Sequence, residues 1–437
     1  MRYYSTNKST PDVSLKEAVI KGLAADNGLF MPEKINKFDA SFFERIHKLS
    51  FQEIAFEVAK KFFGEDIEEE KLKEIVFETL QFDCPVVKVS ESIYSLELFH
   101  GPTLAFKDVG ARFMARLLNY FLSNRKDPVN VLVATSGDTG SAVANGFLGV
   151  EGIQVFVLYP KGKVSKIQES QFTTLGKNIT ALEIDGTFDD CQHLVKTAFL
   201  DEDLNKKLIL TSANSINVAR FLPQAFYYFN AYARLKEKGI LENKELVISV
   251  PSGNLGNITA GLFAMEMGLP VSKFIAANNT NHVVFDYLKS GNYKPVSSVE
   301  TLANAMDVGA PSNFSRILDL YRYSHKTISK IIDGYWYSDA QIKEIVKNVY
   351  TETGYLCDPH GACGYEALRE SLSENQLGVF LETAHPAKFT ETVEKIIGKG
   401  NVKLPKKLAA FMSGEKKSNY LSSDYVDFRN FLLRFTT

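Results

Sequence analysis

Two rhythms of apolar and polar positions divide the chain. Over residues 1–85 apolar side chains recur every three or four positions. Leu15, Ala18, Val19 and Leu23 share one helical face behind Ser14, a hydroxyl suited to capping, and Asn27 with Gly28 supplies a stop. Residues 39–63 and 68–80 repeat the amphipathic pattern, so this part reads as a helical unit. From about residue 86 the pattern changes to short apolar runs at 93–99, 129–135, 153–159, 208–211, 246–250, 274–278 and 378–383. Turn residues bound these runs, and helical patterns follow several of them. Strand, loop and helix in repetition predict an α/β protein with mostly parallel sheets. The segment after Gly400 is mixed in character.

Composition narrows the function classes. A length of 437 residues calls for two domains, or three. A formal net charge of −2 gives no basic surface for nucleic acid. The four cysteines, Cys84, Cys191, Cys357 and Cys363, form no paired framework, which suits a reducing compartment. The first residues lack an apolar signal core and no long apolar run follows. A soluble cytoplasmic protein, without membrane or nucleic-acid partners, is therefore expected.

The chemistry concentrates in loops that follow predicted strands. Lys107 comes just after the His100-Gly-Pro-Thr103 break and opens a helix whose apolar face carries Phe106, Val109, Phe113 and Leu117. An ordinary lysine here is a solvated surface residue. One facing a cleft can lose its proton and attack a carbonyl. Ser252-Gly-Asn-Leu-Gly-Asn257 joins a strand to a helix near Ile258, and reads either as an anion cup of backbone N–H groups or as a tight turn. It lacks the Gly-Lys-Ser/Thr of a nucleotide loop and the third glycine of a dinucleotide loop. Ser136, Thr139 and Ser141 crowd the loop 135–141, where hydroxyls and helix-opening N–H groups suit a carboxylate. Thr383 ends a strand, although alone it is an ordinary turn hydroxyl. Cys357, His360 and Cys363 have a spacing that raises zinc, but Asp358-Pro359 and Gly361 favour a turn with no metal. A reactive lysine, a phosphate cup and a carboxylate loop together suit pyridoxal phosphate and an amino-acid substrate.

HGPTLAFKD, ATSGDTGSA, VPSGNLGNITAG, DPHGACG and ETAHPAKF, in this order, resemble the motif set of the threonine synthases, in the branch without an S-adenosylmethionine regulatory domain. The N-terminal stretch around residues 4–32, the run Ala213-Asn-Ser-Ile-Asn-Val-Ala-Arg220 and Asn304-Ala-Met-Asp-Val308 are similar as well. The resemblance implies the second pyridoxal-phosphate fold type, tryptophan synthase β-like. Two α/β lobes would occupy residues 86–400, the smaller over about 100–235, behind an N-terminal unit at 1–85 and ahead of a terminal segment at 401–437. Lys107 would carry the cofactor as a Schiff base and later act as base at the substrate Cα. Gly253, Asn254, Leu255, Gly256 and Asn257 would hold the cofactor phosphate. Thr383 would meet the pyridine nitrogen, with Asp138 beside the ring. Many relatives carry Phe and Asp where this chain has Leu255 and Asn257; backbone N–H groups do most of the binding, so the cup should survive. Ser136, Thr139 and Ser141 would take the substrate carboxylate, and Ser215, Asn217 and Arg220 its phosphate. The implied reaction converts O-phospho-L-homoserine and water into L-threonine and phosphate, with no obligate protein partner. A phospholyase or a serine/threonine dehydratase of the same fold is the nearest rival, and a non-catalytic relative would lack the lysine or the cup.

Overall fold

The structure is a computed structural model that describes residues 1–123 and 128–436. Its N-terminal unit is less helical than its pattern suggests. Strands β1 (Arg2–Ser5), β2 (Val13–Ser14) and β3 (Phe30–Pro32) form an antiparallel sheet in the order β2-β1-β3. Strands of two to four residues are too short to show alternation, which is why the sequence pattern does not reveal them. Ser14 caps the helix Leu15–Lys21 through a reciprocal capping box with Glu17. That helix stops at Gly22, whose φ of 69° suits glycine, before reaching Asn27 and Gly28. The amphipathic stretch 39–63 is broken into Ala40–Arg45, a 3-10 turn at Ile46–Lys48, and Phe51–Phe63, which Ser50 and Glu53 cap.

Among the described residues eleven further strands follow. They are β4 (Val86–Lys88), β5 (Ile93–Glu97), β6 (Val129–Ala134), β7 (Ile153–Pro160), β8 (Ile179–Asp185), β9 (Ile209–Ser212), β10 (Glu245–Pro251), β11 (Lys273–Asn278), β12 (Ile332–Trp336), β13 (Gln376–Glu382) and β14 (Asn419–Ser422). They build a six-stranded sheet, β12-β11-β10-β13-β5-β4, and a five-stranded sheet, β14-β8-β7-β6-β9. Every pairing in these two sheets is parallel except β4 with β5. Buried on both faces, the central strands read as the continuous apolar runs seen in the sequence. The loops bearing the candidate chemistry leave the C-terminal ends of β5, β6, β10 and β13, where open parallel sheets gather their ligands. Among the described residues no helix is long and apolar enough to cross a membrane.

The terminal segment has a structural place. β14 joins the edge of the five-stranded sheet, Asn419 opposite Leu182 and Ser422 opposite Asp185. The helix Tyr425–Thr436 then lays Phe428 and Leu432, both fully buried, into the core with Phe156, Leu182 and Ile184. Phe428→Ala should therefore cost about 3–5 kcal/mol in urea unfolding; a loss below about 1 kcal/mol would show that this helix contributes no core.

Candidate active site

The turn before Lys107 is held by one carboxylate. Asp108 accepts hydrogen bonds from the Thr103 N–H at 2.9 Å and its hydroxyl at 2.6 Å. Gly101 leaves room for that carboxylate, since any Cβ there would collide with Asp108. Leu104 takes a left-handed φ of 57° and turns the chain toward the end of β13. There the Phe106 N–H donates to the Thr383 carbonyl at 2.9 Å and the His385 N–H to the Leu104 carbonyl at 3.0 Å, with Ala105 opposite Ala384 in a short antiparallel bridge. Lys107 then opens the helix Lys107–Leu122, beside Thr383.

The Lys107 amine lies 5.4 Å from the Phe106 ring centre and has no hydrogen-bond or ion-pair partner among the described residues. The residue is only partly exposed. Burial lowers its proton affinity below the ordinary lysine value; nearby Lys388 and Arg220 lower it further, against the pull of Asp138.

Asp138 opens the helix Asp138–Phe147 behind Gly137, whose φ of 147° favours glycine. A Cβ on Gly137 would lie 2.6 Å from the Gln168 amide carbon. Its absence lets Gln168 Nε2 donate to Asp138 Oδ1 at 2.9 Å. Lys388 Nζ reaches the same oxygen at 2.6 Å. Burial alone would raise the Asp138 carboxyl, but Lys388 and Lys107 hold it well below the usual carboxylate range. Within the loop, Thr135 Oγ1 accepts from the N–H groups of Gly137 and Gly140 at 2.9 and 2.8 Å. Ser136 and Thr139 are partly exposed and their hydroxyls meet no described residue. Ser141 is different: it is fully buried, and its hydroxyl lies 3.1 Å from the Gly137 carbonyl and 3.2 Å from that of Gln168. Its spacing in sequence suggested a ligand contact, but one turn into a helix its side chain serves the fold.

The cup joins β10 to the helix Gly256–Glu266. Leu255 sits there with φ 60° and ψ 5°, a left-handed conformation that costs a non-glycine residue about 1–2 kcal/mol. Gly253 is required, because a Cβ would lie 2.6 Å from the Ala305 carbonyl oxygen. The N–H groups of Asn254, Leu255, Gly256 and Asn257 donate to no described residue. Asn254 is fixed on three sides: its amide donates to Ser215 Oγ at 2.7 Å, its Oδ1 accepts from the Ser312 N–H at 2.6 Å, and its carbonyl accepts from Asn313 Nδ2 at 2.9 Å. The Asn257 Oδ1 meets the Tyr227 and Tyr228 hydroxyls at 2.5 and 2.8 Å, while its Nδ2 is buried without a partner.

Arg220 is buried with its Nη1 on the Ala213 carbonyl, and its Nε has no partner. Among the described residues no carboxylate lies within ion-pair distance of it, so a structural ion pair does not account for this arginine. Asn217 is spent on the fold. Its Nδ2 donates to the Val19 and Ser212 carbonyls at 2.9 and 3.2 Å, and its Oδ1 caps the short helix Val218–Phe221. That amide is not free for substrate, and helix-cap chemistry explains it fully.

A family described as pyridoxal-phosphate dependent enzyme matches residues 85–381, threonine synthase N terminus matches 2–80, and threonine synthase C-terminal matches 361–432. A threonine synthase of Serratia marcescens is 43% identical over 433 residues, 99% of each chain. The crystal structure of threonine synthase from Escherichia coli superposes with a TM-score of 0.92 at 42% identity, covering 100% of both chains. A PLP-bound threonine synthase from Brucella melitensis gives 0.93 at 33% identity, over 100% of this chain and 99% of that one. The chain belongs to the threonine synthase family. The family resemblance, the second pyridoxal-phosphate fold type and the cofactor expected from the sequence are thereby borne out. The residues present fit pyridoxal phosphate, since the Lys107 amine, the cup N–H groups and the Thr383 hydroxyl all lack protein partners among the described residues.

Sequence reasoning passed over residues that support this family site from behind. Arg316 donates to the Phe30 carbonyl at 3.2 and 3.0 Å, to the Ile216 carbonyl at 2.6 Å and to Asn313 Oδ1 at 2.6 Å, and stacks 4.0 Å over Phe221. It ties the N-terminal unit to the cup through Asn313, and burial lowers its guanidinium to about 9. The Cys357-to-Cys363 stretch is the start of the helix Pro359–Ser371 rather than a plain turn. Asp358 caps it and also accepts from the Ala384 N–H at 3.0 Å. His360 donates from Nδ1 to Asp358 at 2.8 Å and accepts the Ala305 N–H on Nε2 at 3.1 Å, bracing the segment that packs on Gly253. Among the described residues no cluster of three His, Cys, Asp or Glu side chains is placed to hold a metal.

Next to Asp358 lies Glu382, fully buried, with Oε2 unpartnered. Burial, then Asp358, then Glu97 push its carboxyl well above the ordinary value of 4.5, against one backbone hydrogen bond from Asp358. A raised folded value means that stability is full below 4.5 and falls as pH rises toward the folded value. Glu382→Gln should melt like the parent in acid and above it in mildly alkaline buffer. Equal melting at both would show that Glu382 carries no bound proton.

Proposed function

We propose that this chain converts O-phospho-L-homoserine and water into L-threonine and phosphate, the last step of threonine biosynthesis. The observation that carries the reading is the Lys107 amine, partnerless and held with weak proton affinity beside Thr383, on a chain whose full length matches threonine synthases. When bound, pyridoxal phosphate supplies an electron sink that acidifies the substrate carbons next to the amine. Gly253, Asn254, Leu255, Gly256 and Asn257 would hold its phosphate, Lys107 its aldehyde carbon, and Thr383 its ring nitrogen, with Asp138 beside the ring. The buried Asn257 Nδ2 adds a neutral donor at the cup where an Asp would bring negative charge. A Thr383 hydroxyl, unlike a carboxylate, does not hold a ring nitrogen protonated.

The protein's own groups handle the substrate. Lys107 Nζ takes the proton from Cα, and burial lowers its proton affinity in the direction that favours the neutral amine this work needs. Ser136 and Thr139, whose hydroxyls are free, receive the substrate carboxylate at the start of the helix Asp138–Phe147, where the backbone dipole favours an anion. Arg220 and Ser215 receive the substrate phosphate and stabilise it as it departs. A buried guanidinium with no carboxylate of its own is well matched to a dianion. Ser141 and Asn217 act at one remove, by shaping these two loops. We place the reaction in the cytoplasm; four free cysteines, all buried, support a reducing compartment.

Purified enzyme given O-phosphohomoserine should release phosphate and threonine in equal amounts. Phosphate accompanied by ammonia and a keto acid would replace this reading with a phospholyase. Arg220→Gln should lower kcat/KM by about 10- to 100-fold, the worth of a charged hydrogen bond; an unchanged kcat/KM would remove Arg220 from the phosphate site.

A further inference from the structure

Lys388 is the lysine of the ETAHPAKF run and has no role in the reading above, although it joins two of the loops of the site. Its side chain is 0% exposed. Its amine spans two loops, reaching Asp138 Oδ1 at 2.6 Å and the Thr103 carbonyl at 2.9 Å. Thr103 belongs to the Lys107 turn, Asp138 to the loop after β6, and Lys388 to the 3-10 turn Pro386–Phe389 after β13. Three separate elements thus converge on one buried ammonium.

The charge balance around Lys107 follows from this geometry. Asp138 is the anion that acts on the Lys107 amine, with Lys388 and Arg220 as the cations. Asp138 gives one oxygen to both Lys388 and Gln168, while Lys107 has no ion-pair partner among the described residues. Lys388 in turn faces Asp138 and bears on Asp108, itself fixed by Thr103 and near Arg112, and on His385.

We propose that Lys388 is a positioning residue that claims Asp138 and so keeps that carboxylate from pairing with Lys107, leaving the Lys107 amine free to lose its proton. Without the Lys388 cation, the Asp138 charge would act on Lys107 alone and hold its proton. The direction of the Lys107 shift agrees, since Lys388 lowers its proton affinity and Asp138 raises it. The inference rests on Lys107 being the amine that takes the cofactor.

The test follows the rate at which the cofactor-free full chain captures pyridoxal phosphate, read by the visible band of the lysine-bound form. Only a neutral amine attacks, so the rate reports the protonation of Lys107. Lys388→Met should slow capture about tenfold near neutral pH and match the parent in alkaline buffer. Lys388→Arg should restore the neutral rate. In the double variant K388M/D138N, which removes both charges, the gap between the neutral and alkaline rates should shrink from that of K388M. If K388M does not fold, Asp138→Asn alone decides: it should narrow the gap between the neutral and alkaline rates. A K388M deficit equal at both pH values, or none, overturns the proposal, as does a D138N gap that is unchanged or wider. Lys107→Ala, run alongside, keeps the two claims apart: a visible band in that variant would discredit Lys107 itself, not the role of Lys388.

Discussion

A two-strand stitch, three residues long on each side, sets the geometry on which the site depends. The Lys107 turn and the chain leaving β13 exchange backbone hydrogen bonds across Ala105 and Ala384, and this brings together the segments bearing Lys107 and Thr383, which are far apart in sequence. Neither side chain takes part in the stitch. Their positions are fixed by backbone groups that must be paired once buried, which is a stronger constraint than any side-chain preference. Asp108 and Gly101 shape the turn, Asp358 steadies the Ala384 N–H, and both carboxylates are themselves buried.

Around that stitch the site is rich in buried charge and poor in simple pairs. Arg220 and Arg316 have backbone carbonyls or amides for partners instead of carboxylates, while Lys388 has both. Such cations are costly to bury and contribute little to folding alone. Their concentration beside a cup of unpaired N–H groups is a cationic setting that suits anionic groups, in keeping with the roles proposed for these residues. The left-handed Leu255 belongs to the same pattern of local cost at the ligand-facing loop.

Much of this was legible before the structure. The buried strands β6, β7, β10, β11 and β13 are continuous apolar runs, so their existence and order could be read directly. Lys107, the Gly253 cup and the loop at Ser136 could be found because turn residues at strand ends are conspicuous. β8 and β12 escaped: Ile179–Asp185 mixes polar with apolar positions, and Ile332–Trp336 carries Asp333 and Gly334 in its middle. Ser141 and Asn217 looked like ligand contacts because sequence shows a hydroxyl or amide but not which backbone carbonyl it faces. Lys388 and Arg316 were missed for the converse reason. A lysine or arginine is ordinarily a surface residue, and only the tertiary fold reveals one sealed inside.

The edge position of β14 has a consequence for how the chain acquires its fold. Tyr420 on that strand hydrogen-bonds Asp185 on β8 across 235 residues of sequence. During synthesis β8 must wait as a bare edge until the chain has reached β14, because this pairing is strongly non-local. An unpaired parallel edge is a template for wrong partners. β14 and the helix Tyr425–Thr436 therefore act as a late-arriving seal on the five-stranded sheet.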